Sequence, residues 1–409
     1  MDHGTRWIAA AALAALLLGC TAGEGDVPPP RPLSNQETAL VGAVAPFGLD
    51  LFREVVARSD GESVFVSPLS VCMALGMTLN GAAGDTRTAM EGTLGVAGMT
   101  PEDVNRSYHD LIDLLTNMDP AVTLAIANSI WYREGFAVRD EFLELNRTWF
   151  DAEIAALDFD DPSAVTTIND WVDASTRGRI PIILQAPIDP GTMMFVIDAV
   201  YFKGSWSQKF DASRTRDETF HAPAGDTTVP TMHVHAELPY CDSAEFEGVD
   251  LPYGEGWFRM MVLVPNDGFT VDDLVAGMTP EGWAAKVGCF RTEAGDLAMP
   301  KFVFEYETKL KEVLRALGMG VAFDPVAADF TGISDTDDLH ITEVKHKTWV
   351  RVDEEGTEAA AVTSVEFGVT SAGPTPFDLR VDRPFVFAIH DTHSGAVLFI
   401  GKMVEPRFE

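Results

Sequence analysis

The stretch from Pro68 to Leu79 constrains everything around it. Leu69, Val71, Cys72, Met73, Leu75, Met77 and Leu79 leave almost no polar face, so a helix here cannot lie on a surface and must be wrapped by other elements. Its ends are marked too. Ser67 is a natural N-cap, Pro68 suits the first helical position, where no N–H is needed, and Asn80-Gly81 can close the far end. A helix that is apolar all round demands a large enclosing fold. The 409 residues can supply one, although a single core usually stops growing near ~300 residues, and length alone would allow two domains.

The remaining patterns favour one α+β domain. Gln36 to Arg58 carries Phe47, Leu51 and Val55 at a spacing of four, an amphipathic helix with Pro46 early in it or at a kink. Pro101-Glu102-Asp103 opens a helix over 101–117 with Tyr108, Leu111 and Leu115 inward, and another is expected over 163–176 around Trp171. Strand patterns alternate with these helices. They cover Ala125 to Tyr132, Met193 to Phe202, Arg259 to Val264, Pro300 to Tyr306, Leu339 to Val352, Phe385 to His390 and Val397 to Met403. No repeat and no break in composition appears after residue 35, which argues against a second domain.

The N-terminus has a different character. Arg6 precedes an apolar run from Trp7 to Leu18, too short for the ~20 residues a spanning helix needs, so it reads as a secretory signal. Its ending, Leu17-Leu18-Gly19-Cys20, resembles the bacterial lipoprotein signal, in which cleavage leaves Cys20 to be acylated. Residues 1–19 are then a signal peptide, 20–35 a proline-rich flexible tether and 36–409 the folded domain. Thr21 after the cysteine favours an outer-membrane or cell-surface location by analogy with lipoprotein sorting. With Cys20 lipidated, Cys72, Cys241 and Cys289 are an odd number without framework spacing, and buried thiols are expected rather than staples. The net charge of −34 argues against nucleic acid or anionic lipid as an electrostatic partner.

One stretch near the C-terminus fits none of these elements. From Glu354-Glu355-Gly356 onward, Thr357, Ala359, Ala361, Thr363, Val365 and Phe367 alternate with Glu358, Ser364 and Glu366, the period of a half-buried strand. Alanine and glutamate also favour a short helix, but the apolar positions do not recur at three and four. Glycine and paired acids ahead of it and Ser-Ala-Gly-Pro-Thr-Pro behind it mark an exposed loop. It is a strand pattern without an evident sheet.

Several segments together resemble one family, the serpins. They are Phe65-Val66-Ser67-Pro68-Leu69-Ser70, Asn128-Ser129-Ile130-Trp131, Ile168-Asn169-Asp170-Trp171-Val172, Asp198 through Trp206, Met299-Pro300-Lys301-Phe302, Ala328 through Ser334, the alternating stretch, and Arg383-Pro384-Phe385-Val386-Phe387. The resemblance implies an α+β fold of three β-sheets and eight or nine helices, with an exposed reactive-centre loop offered to a protease. After the cut the loop inserts into the main sheet, an example of strand addition. It implies an irreversible inhibitor of serine proteases, monomeric and not an enzyme, without a cofactor. The alternative is a non-inhibitory member serving as a binding or structural protein.

The resemblance also implies roles for residues at matching positions, and the family's spacing places the reactive bond. The loop hinge is Glu354, Gly356, Thr357, Glu358, Ala359, Ala360 and Ala361, of which Thr357, Ala359 and Ala361 are small enough to slide between strands without overpacking while Glu358 stays on the opposite face. Counting forward from Gly356 puts the reactive bond at Thr370-Ser371, whereas counting back from Pro384 lands near Gly373. With no lysine or arginine from Val352 to Leu379, an elastase-like or subtilisin-like target is expected over a trypsin-like one. Ser67, Ser70, Asp198 and His346 belong to the shutter, where the main sheet parts. Asp198 stands where asparagine is usual, so it either accepts the same hydrogen bonds or pairs with His346 as a pH-dependent latch. Trp206 and Lys301 belong to the breach, with Lys301 and Glu354 an exposed ion pair worth ~0–1 kcal/mol. His233 and His235 share a strand face as a possible metal pair lacking a third ligand. The segment 101–117 has four acids against one arginine, so no heparin is expected.

Overall fold

A computed structural model describes residues 28–336, 338–357 and 376–408. In chain order the first elements are α1 (Asn35–Val56), β1 (Val64–Val66), α2 (Pro68–Leu79), α3 (Gly84–Thr93), α4 (Pro101–Asn117), β2 (Val122–Arg133), α5 (Asp140–Phe150) and β3 (Glu153–Leu157). Next come α6 (Ser163–Ser175), β4 (Met194–Ser205), β5 (Arg216–Ala222), β6 (Gly225–Asp242), β7 (Phe246–Tyr253), β8 (Phe258–Pro265), α7 (Val271–Ala276) and α8 (Pro280–Cys289). The chain ends with β9 (Arg291–Pro300), β10 (Phe302–Lys309), α9 (Lys311–Leu314), β11 (Lys345–Asp353), β12 (Gly356–Thr357), β13 (Phe377–Arg380), β14 (Phe385–Asp391) and β15 (Val397–Met403).

Local signals explain the helix boundaries. Ser67 accepts from the N–H of Ser70 at 3.2 Å and starts α2, which is buried along nearly its whole length. Thr100 caps α4 through the Asp103 N–H, and Val104, Tyr108, Leu111 and Leu115 form its buried stripe. Ser34 and Glu37 form a reciprocal capping box that opens α1, with Pro46 inside the helix. The body extends further upstream than expected. Arg31, placed in the tether by its composition, pairs with the buried Glu37 at 2.7 Å and donates to the Asp110 carbonyl at 2.8 Å.

Among the described residues the strands form two hydrogen-bonded sheets. One has six strands in the order β10-β11-β12-β4-β2-β3, and the other has nine. The expected second and third sheets are joined, because the 18-residue β6 pairs with β9 over Thr231–Tyr240 and with β7 at Tyr240–Asp242. The six-stranded sheet carries α2 and α6, which contact the same strand, β4. Ile168 and Val172 of α6 form their own buried cluster with Trp131 and Ile197, while α2 belongs to the main core shared with the nine-stranded sheet. This is an α+β architecture with the helix from 68 to 79 at its centre.

Cysteine usage differs from expectation. Cys241, at the end of β6, and Cys289, at the end of α8, form a disulfide, and Cys72 is a buried free thiol. Their separation of 48 residues hides the pairing from the sequence. It arises because β6 and β9 run antiparallel and bring Tyr240 opposite Arg291.

Candidate functional site

The alternating stretch begins inside a sheet. Gly356 and Thr357 pair on one side with Asp353 and Val352 of β11, and on the other with Ser205 and Gly204 of β4. Below that point β11 pairs outward with β10 and β4 pairs outward with β2. Among the described residues β12 is the only element joining β4 to β11. Thr357 is 2% exposed, and its hydroxyl lies 2.5 Å from the hydroxyl of Tyr253, which is itself fully buried. Burial pushes the Tyr253 phenol up, so it stays neutral and can donate. Gly356 permits this geometry. Its φ is +150°, and an added Cβ would lie 2.0 Å from the Gly204 carbonyl oxygen.

The turn before Gly356 is held at several points. Trp206 donates its backbone N–H to Glu355 O and its indole N–H to Asp353 O, both at 2.9 Å, and the Phe210 N–H donates to Glu354 O at 3.0 Å. The Trp206 ring stacks on Tyr253 at 4.4 Å. Lys209 pairs with Glu355 at 2.6 Å. Glu354 pairs with Lys301 at 2.8 Å and accepts from Thr215 Oγ1 at 2.7 Å. The Lys301–Glu354 pair is therefore formed, but it is not the exposed pair expected, since the two side chains are only 15% and 11% exposed. Burial pushes the Glu354 carboxyl up, yet its bonds to Lys301 and Thr215 outweigh this and hold it below the usual range. Phe408 caps the assembly, with Lys301 Nζ at 4.2 Å from its ring.

A second set of residues lies under the start of α2. Asp198 is six residues along β4 from Gly204, about 20 Å of strand. The Ser67 hydroxyl donates to Leu398 O at 2.7 Å, and its backbone N–H donates to His346 Nε2 at 3.0 Å. Ser70 Oγ donates to the Asp198 backbone carbonyl at 3.4 Å. The first turn of α2 thus spans the separation between β4 and β11. Asp198 and His346 do not form the latch, one of the two readings of this pair. The imidazole accepts from Ser67, burial lowers its pKa to about 4, and no hydrogen bond or ion pair to Asp198 occurs among the described residues. Among the described residues neither buried carboxyl oxygen of Asp198 has a well-formed hydrogen bond, and the nearby Ser70 hydroxyl is the one group that favours its charge.

At the far side of the alternating stretch, β13 pairs in parallel with β9, and Phe377 stacks on Tyr240 at 4.4 Å. Residues 358–375 therefore connect one sheet to the other. Glu358, Ala359, Ala360, Ala361, Thr370 and Ser371, like Cys20, lie outside the described residues. His233 and His235 each face a different carboxylate, Glu218 at 3.0 Å and Asp296 at 3.1 Å, and no metal-holding group of three occurs among the described residues. Tyr253, Thr215 and Lys209 were not anticipated. No motif marks them, and only the fold brings them to the hinge.

Comparison with known proteins agrees with this geometry. The family model described as "Serpin (serine protease inhibitor)" matches residues 42–406. The chain is 35% identical over 382 residues to an uncharacterized serpin-like protein of Thermococcus kodakarensis, covering 91% of this chain and 87% of that one. It is 34% identical to Iripin-3 of Ixodes ricinus, covering 85% and 90%. The native-state structure of the thermophilic serpin tengpin superposes with a TM-score of 0.83 at 32% identity, covering 92% of this chain and 96% of that one. The chain belongs to the serpin family and has the serpin fold. Members of the family are generally protease inhibitors, and some are not inhibitory.

Proposed function

We propose that this protein is an irreversible suicide-substrate inhibitor of a serine protease, with residues 357–370 as the strand that inserts. The observation that carries the proposal is Thr357, paired on both sides between β4 and β11, which are joined by no other described element. The protease serine attacks the Thr370 carbonyl, and the peptide bond to Ser371 breaks as the new amine takes a proton from the protease histidine. The acyl ester then links the protease to residue 370. Insertion of residues 357–370 adds roughly 45 Å of strand at about 3.3 Å per residue, and each inserted residue gains backbone partners on two sides. The protease is carried along and distorted before water reaches the ester.

The absence of lysine and arginine from Val352 to Leu379 favours an elastase-like or subtilisin-like target over a trypsin-like one. The lipoprotein-type ending at Cys20 supports a lipid-anchored, extracytoplasmic location. Incubation of the folded domain with proteases of each specificity, and then denaturing electrophoresis, should yield a stable adduct with an elastase-like or subtilisin-like enzyme. Cleavage in the loop with no such adduct from any of them would mark a non-inhibitory binding protein instead.

A further inference from the structure

Lys402 is the one charged residue in β15, whose seven residues are all buried, and it is itself only 1% exposed. An ammonium so placed needs partners. It lines a cavity of about 660 Å³ between α1 and α7, within the range of roughly 300–1,000 Å³ usual for small-molecule sites. Val56, Val275, Ala276 and Leu317 give the cavity an apolar wall, and no residue of β4, β11 or β12 lines it. It is thus separate from the sheet opening.

The ion pairs around this cavity leave a defined remainder. Lys402 Nζ donates one hydrogen bond, to Asp272 Oδ1 at 2.8 Å, whereas an ammonium has three N–H groups to place. Arg53 pairs with Asp50 through Nη2, while its Nε is buried and meets no acceptor among the described residues. Glu54 is taken by Arg58. Asp60 is exposed in the turn after α1, and no hydrogen bond or ion pair reaches its carboxylate among the described residues. The cavity therefore offers N–H donors that lack an acceptor and a carboxylate that lacks a cation, along one apolar wall. A simple anion would be repelled by Asp50, Glu54, Asp60 and Asp272, and a simple cation by Lys402 and Arg53. A molecule carrying both charges avoids each conflict.

We propose that the cavity between α1 and α7 binds a small zwitterion with an aliphatic body, an amino acid or a longer amino-carboxylate. Its carboxylate accepts from Lys402 Nζ and Arg53 Nε, charge-assisted bonds that satisfy the buried donors. Its ammonium lies against Asp60, and its methylene groups cover Val56, Val275, Ala276 and Leu317. No step of protease inhibition is needed for this binding, and the site stands whether or not the loop inserts.

Thermal unfolding of the intact protein with leucine, 4-aminobutyrate or 6-aminohexanoate tests the proposal, because a ligand that binds only the folded state raises the melting temperature as its concentration rises. At least one of the three should do so, whereas butyrate and butylamine, which carry one charge each, should not. No stabilisation by any of the three, or equal stabilisation by butyrate or butylamine, overturns the proposal. Arg53→Met and Asp60→Asn should each raise the concentration needed for a given stabilisation by about tenfold or more, the effect of losing one hydrogen bond to a charged group. Asparagine tolerates the left-handed backbone of Asp60, whose φ is +49°, so this substitution leaves the turn intact. An unchanged concentration dependence in Asp60→Asn contradicts the site, even should Arg53→Met prove too unstable to measure.

Discussion

Thr357 and Tyr253 show how a single contact fixes the last described residue of the hinge between β4 and β11. Two buried hydroxyls satisfy one another at 2.5 Å. Tyr253→Phe should leave the Thr357 hydroxyl without its partner and lower native stability by about 1–2 kcal/mol, measurable by urea unfolding. Thr357→Arg is expected to be more severe for function, because an unpaired cation cannot be buried between β4 and β11. Loop cleavage should continue while adduct yield collapses, and an undiminished yield would refute the placement. The alternation of small and polar residues made Thr357 legible in the sequence. Tyr253 was not legible, since nothing local ties the end of β7 to a residue 104 positions later.

His346 gives a pH dependence of the opposite sign to Asp198. Its folded pKa, about 4, lies below the ordinary 6.5, so the unfolded chain takes up the proton first as pH falls. The stability it contributes is complete above pH 6.5 and is lost progressively toward pH 4, by roughly 3 kcal/mol. Asp198, with its carboxyl raised, favours the native state at low pH and loses that contribution as pH rises. In denaturant titrations His346→Gln should remove the loss of stability on acidification from pH 6.5 toward 4, and Asp198→Asn the opposing loss that sets in as pH rises above about 4. Equal slopes in wild type and both variants would contradict these assignments.

Among the elements, β6 joins the two parts of the nine-stranded sheet, and the disulfide fastens its end to α8. Closing a loop of this length stabilises by ~2–4 kcal/mol. Reducing agent, or Cys289→Ser, should lower unfolding stability by that amount, and unchanged stability would argue against the bond. Sequence patterns placed α2, α4, β14 and β15 within a residue or two, because each has strong periodicity and marked ends. The hairpin run from β5 to β7 and the short α3 and α5 were missed; polar content hides the period in β5 and α3, whereas α5 has a clear apolar face but only 11 residues and no side-chain cap. The Lys301–Glu354 pair was legible as a pairing but not as a buried one, since Phe408 and Thr215 reach it only through tertiary packing.

For the whole molecule, the excess of 34 negative charges bears on how a partner arrives. Association with a cationic protease should slow markedly as salt rises, because screening shortens the Debye length from ~10 Å at 0.1 M to ~3 Å at 1 M. In the proposed mechanism the decisive event comes after the cut. Residues 358–375 link β12 to β13 along the chain, and under the proposed function cutting them lets the segment after Thr357 enter between β4 and β11. Thermal unfolding before and after cleavage within that segment, by a protease that forms no adduct, tests this most directly. A large rise in melting temperature is expected for the cleaved protein, and a melting temperature that stays level or falls would contradict insertion.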